Sequence, residues 1–311
     1  MAAVLIRSQL GPLARRWQGP LCSVVFGLKF TNVKRVFNDP HFSGYRYWHT
    51  VVMVFIFGSC ASLSLESVQE LADRYAVAFN WSEWITVGFF TVDAVANIMF
   101  APKPLRYIFS FWGLIDILSV APSYLMLLNL TAVRSTKVIR LLRVARALRV
   151  LKLARSAADE AEGAEEHVKN PILANLKIYV IIFFAVFMIS STAMYYVEGM
   201  LYSVDAMQAG QAANDAATPV GHLAAPFMPT DPISGSPIPE DKRFFTSIPT
   251  AMWWCIVTMT TTGYGDIYPV TVGGRLIASF TMLCGLILFA ILLNIINKTM
   301  MVLFFGDKLP D

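Results

Sequence analysis

The strongest constraint on this chain is a series of apolar runs, each long enough to cross a lipid bilayer. A helix rises about 1.5 Å per residue, so about 20 apolar residues span a hydrocarbon layer of about 30 Å. Such runs stand at 48–65, 81–100, 107–128, 132–153, 176–197 and 276–305. A further apolar stretch, 244–258, is too short to cross and reads as a re-entrant helix. Only 15% of the residues are charged and 56% are apolar, whereas soluble domains carry about a quarter charged residues. Lipid is the expected solvent, and the expected fold class is an all-α membrane protein.

Charge sets the expected orientation. Arg7, Arg15, Arg16, Lys29, Lys34 and Arg35 precede the first crossing, and positive loops stay cytoplasmic. Six crossings then return both termini to the inside. The first external connection carries Glu66, Glu70 and Asp73 against Arg74, while Lys103 and Arg106 lie in the next, internal one. The connection after the fourth crossing is acidic (Asp159, Glu160, Glu162, Glu165, Glu166) and departs from the pattern. Acidic residues contribute little to orientation, and its Ala and Glu content favours a short cytoplasmic helix ended by Pro171. The net charge of +4 is concentrated in one helix, so no nucleic-acid partner is expected. Cys22, Cys60, Cys255 and Cys284 are far apart and read as small apolar side chains.

The fourth run is far too basic for an ordinary membrane helix. Arg134, Lys137, Arg140, Arg143, Arg146, Arg149, Lys152 and Arg155 recur at every third position. On an α-helix they form a slow spiral; where the segment tightens to a 3₁₀-helix they align on one face. An amphipathic helix on the inner leaflet is the alternative, but it needs polar residues of other kinds and no strict triplet. Charges inside a bilayer need partners, and Glu83, Asp93 and Asp116 stand in the second and third runs. Counted from the inner ends of those runs, Asp93 is about 10 Å deep and Asp116 about 13 Å. Phe90, one turn outside Asp93, is placed to plug the gap between outer and inner carboxylates.

Phe90-Thr-Val-Asp93, Asp116 within LIDIL and the triplet cations resemble the voltage-sensor domain of six-segment potassium channels. The resemblance implies that Phe90, Asp93 and Asp116 form a charge-transfer site and that Glu83 is an outer countercharge. Asp93 stands where a Glu is commoner in that family, and Asn97 where a basic residue is often found; both departures bear on the voltage range.

A second signal is the run Thr258-Met-Thr-Thr-Thr-Gly-Tyr-Gly-Asp266, directly after the short apolar stretch. A dehydrating potassium ion needs oxygen ligands on several sides, with no side chain on the axis. Gly263 and Gly265 permit a backbone that turns successive carbonyls inward, and Thr261 adds a hydroxyl. This run resembles the selectivity filter of potassium channels, with ion-binding residues Thr261, Thr262, Gly263, Tyr264 and Gly265. Thr262 replaces the usual Val. SIPTAMWW before it and VGGR after it are similar to those of voltage-gated members. By that likeness Trp253 hydrogen-bonds Asp266, Trp254 contacts Tyr264, and Glu198 ties to backbone amides near Val272 and Gly273. Gly285 falls where the inner helix bends as a gate hinge, and Tyr268 lines an outer-mouth blocker site. The Pro-x-Pro kink of many relatives is missing, with Leu292-Leu-Asn294 in its place.

The expected organisation is a basic cytoplasmic segment (1–46), a four-helix voltage-sensor domain (47–155), a linker helix (156–171) and a two-helix pore domain (172–305). A short cytoplasmic tail (306–311) follows. The loop 199–243, rich in Ala, Gly and Pro, reads as flexible and external, with no assigned chemistry. No cytoplasmic ligand-binding or tetramerisation domain is expected. There is no internal repeat, so a fourfold pore requires a homotetramer. Membrane lipid is the other partner, the cell membrane the expected location, and potassium the permeant ligand, with no cofactor or other metal. The functional expectation is a potassium channel subunit opened by depolarisation. The alternatives are a potassium channel gated by a ligand with a little-used sensor, and a secondary transporter. Transporters show paired repeats and broken helices, which are not visible here. No nucleophile–base pair, P-loop or metal-ligand cluster suggests an enzyme.

Overall fold

The first apolar run folds as helix α1, Ser43–Glu66, as expected of a stretch without Pro and with a single internal Gly58. The computed structural model describes residues 43–101, 103–127, 145–153, 171–218 and 223–305. The second helix, α2 (Gln69–Phe100), begins well before the apolar run it contains, so the external connection expected over 66–80 is largely helical. Residues 69–80 carry strong helix formers and no Gly or Pro, and Gln69 Nε2 donates to Asp73 Oδ1 one turn on. A local break at Tyr75 (φ −119°, ψ 23°) separates this outer extension from the rest.

The third run is divided rather than continuous. A short α3 (Pro104–Ile108) starts on Pro104, and α4 (Phe111–Leu127) follows a tight turn. A side chain at Gly113 would collide with the Tyr107 carbonyl, so the turn closes only around glycine. Of the basic run, residues 145–153 are described, and Leu148–Leu151 form a 3₁₀-helix. Arg134, Lys137, Arg140, Arg143 and Arg155 lie outside the described residues, as do 1–42, the linker over 154–170 and 306–311.

The second half contains α5 (Pro171–Val197), α6 (Val204–Ala217), α7 (Ile248–Met259) and α8 (Val272–Phe305). Helix α6 stands inside the region expected to be a flexible loop: Ser203 caps it by accepting from the Ala206 amide, and its Ala-rich sequence favours helix. Helix α7 is the short apolar piece. Ser247 accepts from the Thr250 amide and Pro249 occupies the first turn, where its missing N–H costs nothing.

Two apolar clusters hold these elements. One joins Val52, Ile56 and Cys60 of α1 to Phe90, Val150, Leu153 and, on α5, Ile181, Ala185 and Met188. The other joins α5, α7 and α8 through Met194, Phe245, Trp254, Cys255, Met259 and Leu288. The turn between α1 and α2 also meets the start of α7, with the Ile248 amide donating to Ser67 Oγ at 2.7 Å. Four helical stretches, Tyr47–Glu66, Gln69–Phe100, Asn175–Ala217 and Val272–Phe304, are long and apolar enough to cross a membrane. In lipid such helices are held by close packing and interhelical hydrogen bonds, because exclusion from water no longer drives them together.

Candidate functional site

Three cations of the triplet series are described, and all three point at carboxylates. The 3₁₀ turn over Leu148–Leu151, with three residues per turn, sets Arg149 and Lys152 towards the same side. Arg149 is 2% exposed. Its Nε donates to the Ser119 carbonyl (2.9 Å), and its two terminal nitrogens reach Glu83 (2.8 and 3.1 Å), Ser59 Oγ (3.2 Å) and Ser123 Oγ (3.1 Å). All five guanidinium donors are thereby matched. Arg146 Nε lies 3.5 Å from the same Glu83.

Lys152 Nζ sits between two buried carboxylates, 2.8 Å from Asp93 Oδ2 and 3.1 Å from Asp116 Oδ1. Each carboxylate has further donors: Trp48 Nε1 to Asp93 (3.0 Å), and Tyr107 Oη (2.7 Å) and Asn97 Nδ2 (3.4 Å) to Asp116. Asn97 thus braces the carboxylate as a neutral donor. Phe90 is fully buried between the two stations, its ring centre 4.9 Å from Lys152 Nζ and 5.9 Å from Arg149 Cζ. Cations at these distances are attracted to the ring face. The arrangement gives a cation two carboxylate stations separated by one aromatic ring.

Sequence reasoning missed Trp48, Ser59, Tyr107, Ser119 and Ser123. Ser123 contributes its hydroxyl and Ser119 its backbone carbonyl, so residue type alone does not single either out.

The second site follows α7. Thr261, Gly263 and Gly265 have φ of 58°, 60° and 78°. The sign of φ therefore alternates along 261–265, with Thr262 and Tyr264 at negative values. Glycine adopts the left-handed region freely; the β-branched Thr261 does so at a cost of about 1–3 kcal/mol. Hydrogen bonds from the Thr261 amide to the Thr258 carbonyl (3.1 Å) and from the Thr262 amide to the Val257 carbonyl (3.0 Å) hold it.

Behind this segment, Trp253 Nε1 donates to Asp266 Oδ2 at 2.8 Å. The Trp253 ring also stacks on Tyr264, with centres 5.8 Å apart and planes 7° from parallel. The Tyr264 contact assigned by resemblance to Trp254 is therefore made, within the chain, by Trp253. Trp254 is buried edge-on against Phe245, because it faces the core side of α7. Glu198 accepts from the Val270 amide (3.1 Å) and from both the amide and hydroxyl of Thr271 (3.1 and 2.7 Å), two residues earlier than the amides expected. A side chain at Gly274 would collide with the Glu198 carboxylate, which explains the second glycine of VGGR.

Gly285 lies inside the single helix α8. A Cβ there would stand 2.8 Å from Met259 Cα, so in this conformation the glycine allows close approach of α7. Tyr268 is half-exposed, with its ring 5.0 Å from Phe244. Among the described residues no cluster of His, Cys, Asp and Glu has metal-binding geometry.

Residues 45–302 match the family described as ion transport protein. The chain belongs to that family. As an ion transport protein with several membrane-length helices it is a multi-pass membrane protein. It is 28% identical over 257 residues to a protein of Rhodopseudomonas palustris whose name describes a potassium channel protein; the match covers 79% of this chain and 51% of that one. A human potassium voltage-gated channel, subfamily A member 6, is 50% identical over 52 residues, 17% of this chain and 10% of its own length. A human voltage-gated potassium channel regulatory subunit is 46% identical over 57 residues, 18% of this chain and 13% of its own. The ion transport protein thus spans about half the length of the bacterial relative and about a tenth of the human ones.

Proposed function

We propose that this chain is one subunit of a voltage-gated, potassium-selective channel that assembles from four copies. The observation that carries the reading is Phe90 standing between Arg149 and Lys152, each paired to its own carboxylate station. A cation moving past the ring exchanges one carboxylate partner for the other and is not left unpaired in the low dielectric. One charge crossing 100 mV is worth about 2.3 kcal/mol, so about three charges in each of four subunits supply tens of kcal/mol. That exceeds the few kcal/mol separating open from closed conformations.

Lys152 is the seventh of the eight cations and occupies the inner station. With the fourth segment running from outside to inside in this reading, a late cation of the series at the inner station corresponds to the position that depolarisation favours.

Potassium selectivity is supported by the alternating backbone of residues 261–265 and by the names of the relatives. These five residues are exposed in the single chain, and one strand supplies oxygen ligands from one side only. Four strands around an axis complete the shell, and the exposed apolar face of α8, including Leu276, Phe280, Leu283 and Ile287, is then covered by lipid or neighbouring copies. Both termini lie on the cytoplasmic side in this reading.

Neutralising Arg140 or Arg143 to Gln and recording conductance against voltage tests it. The slope flattens if these residues carry gating charge; an unchanged slope in single and combined variants favours a pore opened by a ligand.

A further inference from the structure

The region 199–243 carries one buried carboxylate to which sequence reasoning gave no role. Asp231 is 4% exposed although it lies in a surface segment. It heads a tight turn: its amide donates to the Ser236 carbonyl and its carbonyl accepts from the Gly235 amide, both at 2.9 Å. Gly235 completes the turn at φ 70°. The Asp231 carboxylate accepts from the Ile233 amide (3.1 Å), the Ser234 amide (3.3 Å) and Ser234 Oγ (2.6 Å). The Ser234 hydroxyl, with these amides, holds the carboxyl below its ordinary pKa, so it is charged at neutral pH.

One bond leaves the turn. The Val272 amide, the first residue of α8, donates to Asp231 Oδ2 at 3.2 Å. The preceding two amides, of Val270 and Thr271, are held by Glu198. Three successive amides on the exit from the ion-lining segment are therefore bound by two carboxylates, one directly after α5 and one from the external region. The turn itself is fixed, since the Ile238 amide donates to the Pro229 carbonyl (2.8 Å) and Ile238 is buried in the core beneath it.

We propose that Asp231 is a positioning residue for conduction: through the Val272 amide it makes the external region a folded brace that holds the outer end of the ion-lining strand in its conducting shape. The inference rests on the potassium-channel reading. The strand ends at Gly265, and seven residues later the chain is pinned at Val272. The Glu198 bonds resist displacement from the α5 side and the Asp231 bond from the external side. Without Asp231 the segment 266–272 keeps the Trp253–Asp266 bond and the Glu198 bonds but loses its tie to the external region, and the ion-lining segment leaves its conducting geometry more readily.

The test uses the full chain in lipid bilayers under sustained voltage steps, with Asp231→Ala and Asp231→Asn. Asn retains one acceptor oxygen but no charge. Expected is a several-fold faster decay of current in Asp231→Ala and an intermediate rate in Asp231→Asn, with reversal potential and single-channel conductance unchanged. Hydrogen exchange of the peptide covering 266–276 supplies a second reading independent of conduction. It speeds up several-fold in Asp231→Asn, while exchange in α5 stays as in the native chain. Native decay rates together with native exchange in 266–276 overturn the proposal, and so does exchange that rises equally throughout the chain. If the native chain passes no potassium-selective current, the functional reading fails, and the exchange experiment alone decides whether Asp231 holds this segment.

Discussion

Lys152 Nζ lies 2.8 Å from Asp93 Oδ2, and both groups are almost fully buried. The second carboxylate, Asp116, is 3.1 Å away on the other side. Removing one partner of such a group strands a charge in a low-dielectric site, at a cost of about 3–5 kcal/mol. The observed conformation therefore depends on Lys152 keeping both carboxylates.

Lys152→Gln is expected to destabilise this outward arrangement and move the conductance–voltage curve to more positive voltages. Asp116→Asn, which removes the charge while keeping the size, is expected to shift it as well. A voltage-clamp series on native, single and double variants checks this. The double change has to shift the curve by less than the sum of the singles, because both remove the same ion pair.

Gly265→Ala places a Cβ on a residue at φ 78°. Conduction is expected to disappear while the protein still reaches the membrane and assembles, since within the chain nothing stands near this glycine and the penalty there is backbone strain. Bilayer recording paired with a size measurement in detergent separates the two outcomes. Normal current through Gly265→Ala contradicts the assigned role of the alternating backbone.

Trp253→Phe retains an aromatic ring to stack on Tyr264 but deletes the Nε1–Asp266 bond. A hydrogen bond to a charged acceptor contributes about 1.5–3 kcal/mol when buried; Trp253 is half-exposed in the single chain, so the lower end applies. The expected result is faster current decay at unchanged selectivity, read in sustained voltage steps.

Block by external tetraethylammonium examines the outer mouth. Aromatic faces attract quaternary ammonium by about 0.5–2 kcal/mol, and a ring of Tyr268 from four copies supplies them. Tyr268→Val is expected to weaken block several-fold. The 5.0 Å contact with Phe244 makes the alternative concrete: if the ring stays packed sideways in the assembly, native and variant channels are blocked alike.

The crossings were legible where apolar length alone decides the structure, as in α1, α5 and α8. They were less legible where a single residue interrupts the pattern. The break between α3 and α4 depends on Gly113 meeting a carbonyl in space, which no window of hydropathy reports. The first part of α2, residues 69–80, was missed because Gln69, Glu70, Asp73, Arg74 and Asn80 interrupt its apolar residues; helix propensity was the better guide. For the candidate site, charge types in apolar runs identified Glu83, Asp93 and Asp116 readily, since buried charge is rare. The neutral donors Trp48, Tyr107 and Ser123 were not, because such residues are common in membrane helices and only their aim distinguishes them. Asp231 escaped for the same reason: in sequence it is one acidic residue in a Pro-rich surface stretch.

The most direct measurement is the reversal potential of current evoked by voltage steps across a bilayer holding the purified chain, with potassium and sodium gradients set in opposite directions. The account predicts current that rises with depolarisation and reverses close to the potassium equilibrium potential. Reversal midway between the two ions, or potassium current whose conductance does not change with voltage, would contradict it.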